Sequence, residues 1–520
     1  MSLGSGMPSP DTPRLGHSIA HGATVMAGVT LVTKLVATLG QLVIAAFVLE
    51  GEYGIWGLAI SLADTFGFVQ KLGLREVLAY RQKQVDEWIN SALWAAGAGG
   101  LMTLLIVLAV APFTPTLYDT SPGLVAAFIV LGFGATMQGY IEVFKTRLAL
   151  DFRFGYIAKV SVTEGVVRIC FQMLLSILGM GALGLVLVRA VTYVGEALLY
   201  GIAVRPKIKR TPQLSLWKKA LPDSSLIFTT RMAEVGIRRG DVLLLGLFAP
   251  DAVVGVYFFA FGLSTQIVML LAQGLIGVLS AGLSKLQDDV ERLRRAFFSV
   301  VRQISFVGVP LLVVQAATCA QLLRLLYVDK WEAAIVPLQI LSVQACFIIA
   351  GWNTAAVFTA RGLFRRQAVI KVSGGVLFLA VMVWSASTES PVVVALAALV
   401  FRMVFVPLQI AFATSGGWKA VSETILAVLR PFNVAGGAAI AALLLTEAAA
   451  PLIESVSSLA DSQAFRLEQI LELVLIASVT MLLYWVGAKT LLKSTYEEFS
   501  ARIKPVLPAR VLKLVPSWVF

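Results

Sequence analysis

Apolar stretches of about 20 residues, the length a helix needs to cross a bilayer, recur fourteen times along this chain. They run near 22–49, 53–74, 88–112, 122–146, 155–178, 181–203, 224–248, 251–282, 296–326, 332–360, 367–387, 391–414, 425–449 and 467–491. Lipid offers no partner to a backbone N–H or C=O, so each stretch has to satisfy its own polar groups, which a helix does. The expected fold class is therefore all-α, a polytopic membrane protein of about fourteen transmembrane helices. Composition agrees: 14% of the 520 residues are charged, against about 25% in soluble domains, and mean hydropathy is +0.85.

Charge orients the spans. Loops after even-numbered spans carry clusters such as Arg75, Arg81 and Lys83, then Arg205, Lys207, Lys209 and Arg210, then Arg361, Arg365 and Arg366. Loops after odd-numbered spans carry almost none, with Lys330 and Arg466 as the main exceptions. By the positive-inside rule both termini are expected in the cytoplasm. This placement accounts for the net charge of +12 as topology, and no nucleic acid partner is expected. The Ser-, Gly- and Pro-rich residues 1–21 read as a disordered cytoplasmic tail. Residues 492–520 read as a basic cytoplasmic tail, in which Arg502, Lys504, Arg510 and Lys513 among Leu, Val and Trp518 suit contact with anionic membrane lipids.

An internal repeat divides the spans. GQLVIAAFVLEGEYGIWGLA from Gly40 is similar to GDVLLLGLFAPDAVVGVYFFA from Gly240: a small residue, an apolar run, a short acidic turn, then Gly54 or Gly255. The second copy starts at span 7. Two six-helix lobes follow, 22–204 and 224–414, joined by a basic linker at 205–223 and followed by a helix pair at 425–491. Both copies have one orientation, which sets the symmetry axis roughly normal to the membrane. Transporters built from two such halves bind at the interface between them.

Span 7 is the least membrane-like of the fourteen. Arg231, Glu234, Arg238 and Asp241 share one helical face with alternating sign, an arrangement that allows pairing along the helix, while Arg239 lies off that stripe. A central charge costs roughly 2.5–3.5 kcal/mol on insertion and an apolar residue returns about 0.3–0.6, so this side of the helix has to face protein or water. Other charges lie deep in spans: Lys34 in span 1, Asp64 in span 2, Glu164 with Arg168 in span 5, Arg189 with Glu196 in span 6, and Arg402 in span 12. The set leans cationic and draws on both lobes. Lys34, Arg168, Arg189, Arg231, Arg238, Arg239 and Arg402 are candidates for binding an anionic substrate, since a guanidinium fork matches phosphate. Asp64, Glu164, Glu196, Glu234 and Asp241 are candidates for coupling to protons or sodium. The competing reading makes some of these groups closed pairs that merely fix helices, Glu164 with Arg168 above all, and lets Arg189 snorkel to the surface.

No nucleophile and base arrangement, phosphate loop or metal-ligand cluster is present in the sequence, so catalysis is not indicated and no cofactor is expected. Cys170, Cys319 and Cys346 stand singly in apolar runs and read as core packing. Both histidines, His17 and His21, precede the first span.

Three stretches carry a resemblance to a known family: LEGEYGIWGLAISLADTFGFVQKLGLREVL at 49–78; Asp241, Gly246, Gly255, Tyr257 and Ala260 in spans 7 and 8; and PLLVVQAATCAQLLRLLYVDKWEAAIVPLQIL at 310–341. Their order resembles the polysaccharide transporters of the O-antigen flippase type, in the larger group that holds multidrug extrusion transporters and lipid II flippases. Two positions depart from the family pattern: Val328 and Asp329 stand where a glycine commonly precedes the Lys-Trp pair, and Ala281 and Gly282 where a proline is often found. The resemblance implies a flippase of the bacterial inner membrane with a cationic central cavity. It would move an undecaprenyl-diphosphate-linked oligosaccharide to the outer leaflet by alternating access, for exopolysaccharide or O-antigen export, with a polysaccharide polymerase and glycosyltransferases as partners. A lipid II flippase, a multidrug or cation antiporter, and a membrane glycosyltransferase or polymerase are the alternatives.

Overall fold

The computed structural model describes residues 36–67, 85–118, 122–206, 214–271, 289–457 and 464–503, with positions 33, 283 and 286. These residues form helices and no strand. The stretch expected to form the first lobe comprises α1 (Val36–Phe47), α2 (Glu50–Gly67), α3 (Val85–Val110), α4 (Gly123–Ala135), α5 (Gln138–Leu150), α6 (Phe154–Ile177) and α7 (Gly181–Val204). The second comprises α8 (Leu214–Phe248), α9 (Asp251–Ser264), α10 (Val290–Tyr327), α11 (Ile335–Gly351), α12 (Thr354–Ala360), α13 (Phe364–Ala386) and α14 (Pro391–Thr414). Two further long helices, α15 (Gly417–Ser457) and α16 (Ala464–Leu491), pack on α10, and the short α17 (Lys493–Ile503) follows.

Among the described residues, eleven helical segments are long and apolar enough to cross a membrane. The described parts of the other three expected spans are helical as well: α1 is short within the described range, α2 holds Glu50, Glu52 and Asp64, and α8 holds the five charges of span 7. Outward-facing side chains such as Leu101, Leu105 and Leu108 on α3 and Leu187 and Val191 on α7 are exposed. An apolar surface of that extent is the lipid-facing side of a membrane protein. Cys319 and Cys346 are buried as expected, but Cys170 is exposed, because it lies on the outward side of α6.

Pairs of spans repeat their packing from one lobe to the other. Gly40 on α1 abuts Ile169 on α6, and Gly240 on α8 abuts Leu379 on α13. The glycines permit close approach where membrane helices have no hydrophobic drive to associate. Tight loops connect neighbours: Gly179 and Gly181, at φ +76° and +50°, turn the chain between α6 and α7, in the left-handed region that glycine enters freely. Helix α8 starts earlier than span 7 was expected to, since it extends back to Leu214 through much of the basic linker.

Candidate functional site: charged groups between the lobes

Helix α8 carries its charges to three different places. Arg239 reaches the first lobe, where Nε and Nη2 both donate to Asp64 Oδ2 of α2, at 2.9 and 2.7 Å. At about 1.5 Å per residue, Arg239 is roughly 13 Å from the Phe248 end of α8, close to the middle of a hydrocarbon core about 30 Å thick. Arg231 pairs with Glu234 at 3.3 Å, and Lys371 of α13 approaches the other Glu234 oxygen at 3.6 Å. The alternating stripe does not pair throughout, since no ion pair joins Arg238 to Asp241. Asp241 is buried at 2% exposure; it accepts from Val242 N at 2.8 Å and Tyr257 Oη at 2.9 Å, and so is turned into the second lobe. Arg238 stays exposed and makes no side-chain hydrogen bond or ion pair among the described residues.

Asp64 is not a lone carboxylate. Arg239, Arg238 and Arg189 all lie within electrostatic range of it. Arg189, from α7, does not snorkel outward: its guanidinium stacks 4.8 Å over the Tyr193 ring and donates Nε to Tyr193 Oη at 3.0 Å. Glu164 and Arg168 form the closed intrahelical pair, at 2.9 Å, and Glu196 is engaged at 2.7 Å by Lys145 of α5. Arg402 is held inside the second lobe, donating Nη2 to Ile237 O at 3.2 Å near Asp241 and Tyr257, with its buried Nε unpaired. Lys34 lies outside the described residues, as do Ala281 and Gly282.

The centre thus gathers Asp64, Arg189, Arg238 and Arg239, and leaves Arg402 behind α8. Two cations escaped the sequence reading. Lys145 and Lys371 lie near the basic ends of their spans, where a lysine reads as loop charge, yet each turns inward to a carboxylate.

The lobes also meet at the end of the odd-numbered loops. Lys330 Nζ donates to Ala45 O and Ala46 O at 3.0 and 2.9 Å, Trp331 Nε1 to Ala45 O at 2.9 Å, and Tyr327 Oη to Leu42 O at 2.7 Å. Ala45 and Ala46 carry two of the last four carbonyls of α1, which have no partner within the helix, and Lys330 and Trp331 supply the missing donors. The Lys-Trp pair therefore ties span 1 of one lobe to the span 9–10 junction of the other. Burial lowers the Lys330 ammonium, against the pull of Glu50.

The chain's fold is similar to that of solved transporters. A lipid II flippase, MurJ, in an inward closed conformation matches with a TM-score of 0.66 at 13% identity, covering 90% of this chain and 100% of that one. An inward-facing multidrug resistance MATE family transporter of the MOP superfamily matches with a TM-score of 0.57 at 15% identity, covering 77% and 99%. A MOP superfamily transporter from Pyrococcus furiosus matches with a TM-score of 0.56 at 14% identity, covering 77% and 96%. No curated protein sequence matches the chain. The fold is that of a polytopic membrane protein, shared with these solved transporters. A family model described as polysaccharide biosynthesis protein matches residues 43–336, more than half of the chain, and the chain belongs to that family.

Proposed function

We propose that the protein is a flippase for a lipid-linked oligosaccharide of polysaccharide biosynthesis, carried on undecaprenyl diphosphate, in the bacterial inner membrane. One observation carries the reading: three guanidiniums, from α7 and α8, lie within electrostatic range of a single carboxylate, Asp64, and one of them, Arg238, is exposed and makes no side-chain hydrogen bond or ion pair among the described residues. An excess of desolvated cations at mid-membrane is costly unless an anion completes it, and a diphosphate offers two charges in the geometry that guanidinium forks bind. Low-dielectric walls concentrate the attraction.

In this reading the diphosphate enters between the lobes, competes with Asp64 for Arg239, and loosens the bridge that joins α2 to α8. The lipid tail stays in the bilayer while the lobes exchange access. Asp64, freed of Arg239, is then the carboxylate best placed to take up a coupling proton or sodium ion. A polymerase and glycosyltransferases acting on the same lipid are the expected partners.

Replacement of Arg238 by Ala in a strain that requires the exported polymer tests the proposal. Surface polymer should fall at least tenfold at unchanged protein level, and undiminished polymer would contradict it.

A further inference from the structure

A cavity of about 290 Å³ lies between α5, α6 and α7, beside the arginine cluster. That volume is at the lower end of the roughly 300–1,000 Å³ of small-molecule sites, enough for one ring-sized group. Its walls are polar because three consecutive helices each turn a stripe of polar residues into it. Gln138, Glu142 and Lys145 recur at the i, i+4, i+7 spacing on α5, and Arg189, Tyr193 and Glu196 at the same spacing on α7, with Glu164 of α6 between them. In a lobe whose outer surface is apolar, such convergence makes a wet compartment and not a packing seam.

This compartment is lined by three carboxylates, Glu142, Glu164 and Glu196, against two cations, Lys145 and Arg189, whereas the surroundings of Asp64 are cationic. Lys145 engages Glu196, Arg168 engages Glu164, and Arg189 is occupied by Tyr193. Glu142 and Gln138, one turn apart, make no side-chain hydrogen bond among the described residues. What remains on offer is a carboxylate acceptor, an amide that both donates and accepts, and the Tyr193 phenol. That inventory fits a hydroxyl-bearing ring. A carboxylate brought into the same space would meet Glu142, Glu164 and Glu196 with no unoccupied cation to receive it. Arg189 joins the two regions, since it lines this cavity and lies within electrostatic range of both Asp64 and Glu164.

We propose that the cavity is the subsite for the sugar attached directly to the diphosphate, and that it takes an uncharged sugar in preference to a uronic acid. The inference rests on the flippase reading for the identity of the anion next door. It narrows that reading, because acidic residues of the glycan have to lie farther from the lipid than the first ring.

Equilibrium binding to the purified full-length protein tests it with three short-chain probes: farnesyl diphosphate, farnesyl diphosphate bearing glucose, and farnesyl diphosphate bearing glucuronic acid. The glucose probe should bind at least tenfold more tightly than farnesyl diphosphate, and the glucuronate probe no more tightly than farnesyl diphosphate. Gln138→Leu should erase the gain from glucose, and Glu142→Gln should narrow the gap between the two sugars, with farnesyl diphosphate affinity unchanged in both variants. Arg238→Ala should weaken all three probes together. Equal binding of the three probes to the wild-type protein would overturn the sugar subsite and leave the diphosphate reading standing. Absence of binding by any probe would overturn both.

Discussion

Gly54 and Gly255, the matching glycines of the internal repeat, lie back to back where α2 crosses α9. A Cβ on Gly54 would fall on the Asp251 carbonyl oxygen and 3.0 Å from Gly255 N, and a Cβ on Gly255 would fall on the Glu50 carbonyl oxygen and 3.0 Å from Gly54 N. The reciprocity sets equivalent positions of the two repeat copies against each other. Because the obstacle is backbone, no side-chain rotation relieves it. Gly54→Ala and Gly255→Ala should each destabilise the protein by about 1–3 kcal/mol, the usual cost of overpacking. Gly155→Ala, where a Cβ meets nothing within 4 Å, should be neutral or slightly stabilising. Thermal melting of the three variants in detergent compares them directly.

The bridge between Asp64 and Arg239 joins residues 175 positions apart in sequence. Asp64→Ala and Arg239→Ala should therefore be non-additive, with a coupling of about 0.5–3 kcal/mol in a double-mutant cycle read by melting. Simple addition of the two single effects would show that the pair contributes nothing to lobe association.

Val328 ends α10 at φ +57°, a conformation that a β-branched residue rarely adopts. The chain bears backbone strain at this position, which a glycine would not. Val328→Gly should raise stability by about 1 kcal/mol through relief of that strain, whereas Val328→Ile should give no gain. Melting temperature again provides the measurement.

The spans were legible because bilayer thickness imposes a length that composition alone reveals, and the repeat was legible through Gly40, Gly54, Gly240 and Gly255, whose roles are close approach. Partner choice was not. Nothing local in the sequence connects Arg239 to Asp64, or Lys145 to Glu196, and of the pairings that helical spacing allows, Arg231 with Glu234 and Arg168 with Glu164 form whereas Arg238 and Asp241 stay apart. Burial decided that case: Asp241 satisfies its carboxylate through Val242 N and Tyr257 inside the second lobe. Lys371 was passed over for the same reason as Lys145, since its place near a span end resembles ordinary positive-inside charge.

Cysteine exposure offers a check on helix facing that requires no substrate. Cys170 is exposed, and Cys319 and Cys346 are buried. A membrane-permeant maleimide should label Cys170 alone in the native protein and all three after denaturation, as read by intact-protein mass spectrometry. Native labelling of Cys319 or Cys346 would contradict the packing of α10 and α11.

In the proposed function, exposed cations such as Arg238 carry a lipid diphosphate across the membrane. Movement of a fluorescent undecaprenyl-diphosphate-linked sugar between leaflets of proteoliposomes measures it. The wild-type protein should move the lipid well above the rate in empty vesicles, and Arg238→Ala should lower that rate at least tenfold with its melting temperature unchanged. A wild-type rate equal to that of empty vesicles, or an Arg238→Ala rate equal to wild type, would contradict the claim.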